Sequence, residues 1–128
     1  MRKIVYISGP ISGPRGLDVA ENTGHFDIVE NMLLRAGYAP INPAADWDAI
    51  KIGGITMKDL MEKDEALVRN SHALYVLPGY EDSPGAMQEV KWAQEEGTPY
   101  FDNLNDLNEY FGAIFGDWVD QLSGEPDA

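Results

Sequence analysis

Strand and helix signals alternate along this 128-residue chain with short connections between them. That order predicts a small doubly wound α/β domain: a parallel sheet of four to five strands, helices on both faces, and a flavodoxin- or Rossmann-like strand order. Two further observations support it. Lys3-Ile4-Val5-Tyr6-Ile7-Ser8 and Ala73-Leu74-Tyr75-Val76-Leu77 are nearly continuous in β-branched, aromatic and aliphatic residues, as strands covered on both faces are. The length suits one core of roughly 100–150 residues, so one domain is expected over residues 1–122, with 123–128 as a flexible tail.

The first strand ends in Gly9-Pro10, and Gly9 to Gly16 reads as a loop with three glycines and two prolines. A helix is expected from about Asn22 to Ala36, where Phe26, Val29, Leu33 and Ala36 recur at helical spacing and Gly37 supplies the stop. Tyr38 to Asn42 is a short strand closed by Pro43, and residues 43–55 form a loop carrying Trp47. Thr56 reads as an N-cap with Asp59 in the reciprocal position of a capping box, opening a helix that runs to about Asn70. The strand at Ala73 follows. Ser83-Pro84 starts a third helix, with proline at the first helical position and Gly97 at its end. Pro99-Tyr100-Phe101 is a short strand, and one or two amphipathic turns come after it.

Composition excludes several function classes. The 22 acidic residues against 9 Lys plus Arg give a net charge of −13, which argues against a nucleic-acid polymer or an anionic membrane surface as partner. No apolar run reaches the ~18–20 residues of a membrane span, and the strand at Lys3 leaves no room for a signal peptide. The absence of cysteine excludes a disulfide framework and thiolate metal sites, and fits a cytoplasmic protein. His25 and His72 stand at no ligand spacing, so neither a metal nor another cofactor is expected.

Candidate chemistry gathers at the carboxyl ends of the expected strands, residues 8–16, 42–48 and 78–85, where ligands bind in such sheets. The helix from Thr56 carries an apolar stripe at Met57, Leu60, Met61, Leu67 and Val68, with Asp64 in its middle. A carboxylate there is either solvated beyond a stripe that ends early or held at a site, because burial without a partner is costly. Glu89 lies beside the stripe of Ala86, Val90, Ala93 and Gly97. A helical side chain leans toward the N-terminus, which would turn Glu89 toward the strand ends. Taken alone, it reads as a solvated helix residue, as most glutamates on helices are, and the conjunction with Ser83, Gly85 and Asp64 raises the site reading. Gly85 leaves space above that carboxylate, and Ser83 with the first-turn amides offers donors. In the first loop, Ser8, Ser12 and Arg15 are donors and Gly9 and Gly13 permit close approach, although neither a P-loop nor G-x-G-x-x-G is present. Trp92 and Trp118 read as packing residues, and Trp47 as core cover or a stacking wall for a base.

Together these segments resemble the nucleoside 2-deoxyribosyltransferase-like superfamily. The resemblance rests on Tyr6-Ile7-Ser8-Gly9-Pro10-Ile11-Ser12-Gly13, Asn22 with Phe26, Gly37-Tyr38, Ile41-Asn42-Pro43, Asp64, and the run from Leu74 to Glu89. It covers residues 4–101 and is closest to a branch of short, mostly phage and bacterial proteins known as a domain of unknown function. It implies Glu89 as the nucleophile on the anomeric carbon, Asp64 as the group assisting proton transfer, and Tyr6 as the residue positioning the nucleophile. Relatives that hydrolyse deoxynucleoside 5′-monophosphates imply a phosphate-holding role for Ser8, Gly9, Ser12, Gly13, Arg15 and Ser83, although here Arg15 is the single basic residue of the loop. The implied activity is N-glycosidic cleavage or base exchange on deoxynucleosides or their 5′-monophosphates. The implied partners are a small nucleoside or nucleotide and further copies of the chain in a homodimer or homotetramer, in the cytoplasm (a host's, if phage-encoded). A non-catalytic nucleotide-binding module is the alternative, and a structural protein that merely kept the fold is a third.

Overall fold

A computed structural model of the chain describes residues 1–11, 19–46 and 52–112. In chain order these form β1 (Ile4–Ser8), α1 (Val19–Arg35), β2 (Ala39–Ile41), α2 (Met57–Arg69), β3 (Ala73–Val76), α3 (Pro84–Glu95) and β4 (Tyr100–Phe101). A further helix, α4, covers residues 104–112, and one-turn 3-10 helices lie at Pro43–Asp46 and Tyr80–Asp82. The four strands form one parallel sheet in the order β2-β1-β3-β4. The fold class expected from the sequence is therefore the observed one.

Strand alternation divides the core in two. Val5, Ile7, Ala73, Tyr75 and Leu77 face Phe26 and Leu33 of α1 and Leu107 and Phe111 of α4. Tyr6, Leu74 and Val76 face Val68 of α2 and Val90, Trp92 and Ala93 of α3. Each strand side chain points to the face opposite its neighbour's, so one apolar run serves both layers. Trp92 is a packing residue, as expected. The sheet grows one way from β1 to β2 and the other way from β1 to β3, so the topological switch lies beyond Ser8 and Val76, which are register partners.

Most boundaries follow the local signals. Thr56 is the N-cap of α2 with both bonds of the capping box, and Ser83 caps α3 ahead of Pro84. Gly37 closes α1 at φ 97°, a left-handed conformation that a side chain would oppose. Two expectations need correction. α1 begins at Val19, three residues before Asn22, whose side chain instead donates to the carbonyl of Ile11 at 3.2 Å. The apolar stripe of α2 is packed only in its second half: Val68 is buried, whereas Met57 and Met61 are about half exposed. Arg69 ties the last turn of α2 to that of α3 by bonding Glu95 and Glu96, besides Glu65 on its own helix. Among the described residues, no helix is long and apolar enough to cross a membrane. Residues 123–128, expected as a tail, lie outside the described residues, as does Trp118.

Candidate active site

Tyr6 and Ser8 are two apart on β1 and so share the sheet face that α2 and α3 cover. Both are fully buried. From α3, Glu89 reaches down between them. Tyr6 donates its hydroxyl to Glu89 Oε2 at 2.6 Å, and Ser8 donates to Oε1 at 2.7 Å. The carbonyl of Ala86, the other acceptor near Ser8 among the described residues, is at 3.5 Å, so the serine proton goes to the carboxylate. Glu89 itself is 9% exposed. The helix lean that turns it inward is the one expected from the sequence, and both of its oxygens end on donors rather than in solvent.

Asp64 enters from α2, half-buried, with its carboxyl near the same Tyr6 hydroxyl. Burial pushes Glu89 up to about 7, although the bonds from Tyr6 and Ser8 pull the other way and nearby Asp64 adds to the rise. Burial likewise raises Asp64 to about 6, opposed by the nearby Tyr6 hydroxyl. Tyr6 moves upward, first through burial and then through the two carboxylates, so it remains a neutral donor. The cluster is therefore a pair of carboxyls raised toward neutral pH beside one tyrosine, an arrangement suited to acid, base or nucleophile work. The solvated alternative is not what is observed for Glu89, and Asp64, half-buried, stands between its two readings.

The remaining candidates divide. Ser83 lies half-buried at the start of α3, where its oxygen accepts from the Ala86 amide at 3.3 Å. That bond leaves the Ser83 hydroxyl proton available to another acceptor. Gly85 faces open space, with nothing within 4 Å of where a Cβ would stand. Gly9 differs from expectation. It is buried, and a Cβ there would come 2.7 Å from Leu77 Cβ, so the closeness of β1 and β3 beyond the sheet already requires glycine. Ser8 differs too. Expected to hold phosphate, it is buried with its proton on Glu89. The signal for that contact was in the sequence: period-two alternation puts Ser8 on the face of Tyr6, and Tyr6 had been assigned to the nucleophile. Ser12, Gly13, Arg15 and Trp47 lie outside the described residues. His72 accepts from the Ile4 amide through Nδ1 at 2.9 Å, a strand-edge role apart from this cluster. A separate cavity of about 510 Å³, lined among others by Tyr80, Met87, Lys91 and Tyr100, includes none of Tyr6, Ser8, Asp64 or Glu89.

Comparison with known proteins gives one family and one fold. The family model described as "Domain of unknown function (DUF4406)" matches residues 3–101. The solution structure of BlsM is similar at a TM-score of 0.60 and 19% identity, over 90% of this chain and 74% of that one. None of the curated proteins matches the sequence.

Proposed function

Since the chain belongs to the DUF4406 family, which is described as a domain of unknown function, we propose its activity from the site itself: cleavage or exchange of the N-glycosidic bond of a deoxynucleoside or deoxynucleoside 5′-monophosphate, through a covalent glycosyl intermediate on Glu89. The observation that supports this most is Glu89 itself, buried with both carboxylate oxygens held by hydroxyls of β1. Asp64 stands beside the same Tyr6, so a second carboxyl is at hand to move a proton while Glu89 attacks, the division of labour of a retaining scheme.

In the first step a Glu89 oxygen forms a bond to C1′ of the sugar. The C1′–N bond breaks, its electron pair leaves with the base, and Asp64 supplies the proton. In the second step water, or another base, attacks C1′ and passes its proton to Asp64. The pair of the C1′–O bond returns to the Glu89 carboxylate. Ser83 and the space over Gly85 belong to this reading as the approach to Glu89 from α3, and Arg15 and Ser12 as phosphate donors.

The test is incubation with each deoxynucleoside and deoxynucleoside 5′-monophosphate, followed by chromatography for free base. Base released by wild type and lost in Glu89→Ala supports the proposal. Saturable binding with no base released by either protein assigns the site to a nucleotide-binding module instead. Added acceptor base distinguishes transferase from hydrolase by the appearance of a new nucleoside. Assembly into a dimer or tetramer belongs to the same reading. Ile52, Ile55, Met57 and Met61, at and before the start of α2, are exposed apolar residues that association could cover, and sedimentation measures it.

A further inference from the structure

We propose that Ser8 is a positioning residue for Glu89, holding the ionised carboxylate by its Oε1 so that Glu89 serves both as attacking group and as leaving group. This rests on the glycosyl-enzyme reading above. The geometry is specific. Ser8 is fully buried, has one proton, and gives it to Glu89 at 2.7 Å. Tyr6 occupies the other oxygen at 2.6 Å, so the plane of the carboxylate is fixed from both sides by donors on a single strand. A strand is a stiffer platform than a loop for such a task. Among the described residues the buried carboxylate has no cation as a hydrogen-bond partner; hydroxyls hold its two oxygens.

The two steps call on Ser8 differently. In the first, the hydrogen bond favours the ionised nucleophile but also quiets it, and the two effects oppose each other. In the second, the C1′–O bond to Glu89 breaks and its electron pair returns to the carboxylate, where the Ser8 proton meets the developing charge. Removing the hydroxyl should therefore slow the second step more than the first. The glycosyl adduct should then accumulate.

Ser8→Ala tests this, with Ser8→Cys as a near-isosteric variant that keeps a weak donor. Ser8→Ala is expected to raise the proton affinity of Glu89 about tenfold, one pH unit, and to move the acidic limb of kcat/KM upward by a like amount. Intact-mass analysis during turnover should show a larger fraction of protein carrying a deoxyribosyl adduct than wild type does, with Ser8→Cys between the two. An unchanged acidic limb with an unchanged adduct fraction in a folded Ser8→Ala protein overturns the proposal. Carbon-13 NMR titration of the Glu89 carboxyl decides it separately from activity. If wild type releases no base, the catalytic reading fails, while an unmoved Glu89 titration in Ser8→Ala sinks the role of Ser8 on its own.

Discussion

Tyr6 has one proton and two carboxyls within reach of it, and the competition makes a testable case at the level of single atoms. Tyr6→Phe leaves Glu89 Oε2 buried without its donor at 2.6 Å. A hydrogen bond to a charged group contributes about 1.5–3 kcal/mol, so kcat for base release should fall roughly tenfold to a hundredfold. KM should stay near the wild-type value, because the hydroxyl is buried against Glu89 rather than open to substrate. Equal kcat in a folded Tyr6→Phe protein would remove Tyr6 from the mechanism. Two glycines allow a contrasting pair. At Gly9 an added Cβ meets the Leu77 Cβ at 2.7 Å, both of them atoms fixed to backbone, and at Gly85 it meets nothing within 4 Å. Gly9→Ala should cost about 1–3 kcal/mol in a urea melt. Gly85→Ala, inside a helix, should be neutral or gain up to about 1 kcal/mol. A Gly85→Ala protein that stays folded yet loses nucleoside affinity would show that the ligand passes over this position. Glu89 and Asp64 were legible from helix geometry and a misplaced charge. The Ser8 contact was overlooked because a serine beside a glycine-rich loop suggests a ligand, whereas its strand parity turns it inward.

At the scale of elements, the legible features were those whose cause is local. Thr56 and Asp59 are three residues apart and close their capping box without help from the rest of the chain. Gly37, Ser83 and Pro84 likewise mark helix ends by their own chemistry. Packing was less legible because it depends on what lies opposite. The stripe from Met57 to Val68 has uniform helical spacing, yet the sheet and α3 cover only its later part, leaving Met57 and Met61 exposed. Asp64 sits where covered and uncovered halves meet, which explains why it is half-buried and still reaches Tyr6. α1 already includes Val19, and Asn22, a residue that favours the cap position, lies inside it. The Asn22 side chain is bonded to the carbonyl of Ile11, a long-range contact no local signal announces. A prediction follows from the cap of α2. Thr56→Ala should destabilise the fold by about 1 kcal/mol, with the loss concentrated in amide exchange over the first turns of the helix. Because Asp64 is two turns beyond the cap, base release should change less than twofold. A large drop in activity would mean that the start of α2 itself forms part of the site.

Across the whole molecule the net charge of −13 and the buried carboxylate act on stability in the same direction as pH rises. Glu89 has an ordinary value of 4.5 and is raised to about 7 in the fold, chiefly by burial. Between those values the native state keeps a proton that the unfolded chain has released. The native state then binds more protons than the unfolded one, so stability falls as pH increases through this window. The contribution is fully present below about pH 4.5 and lost above about pH 7, the reverse of a carboxylate whose value is depressed by a salt bridge. Asp64, raised by burial to about 6, adds to the same trend with a smaller share because it is half open to water. For Glu89 the displacement corresponds to on the order of 3 kcal/mol. Other acidic groups and general charge repulsion also vary with pH, so the difference between wild type and Glu89→Gln isolates the effect. Gln keeps the shape and cannot ionise. Urea melts from pH 4 to pH 8 should show the two proteins nearly equal in stability at the acid end. The variant should then gain progressively on wild type, reaching up to about 3 kcal/mol at pH 8. The same substitution should abolish base release at every pH. A parallel pair of stability curves would mean that Glu89 is ionised throughout at no cost, and that its environment is wetter than the two buried hydroxyls on β1 imply. Divergence with loss of activity would identify one carboxylate whose burial the fold sustains at neutral pH against its own stability, as functional sites commonly do.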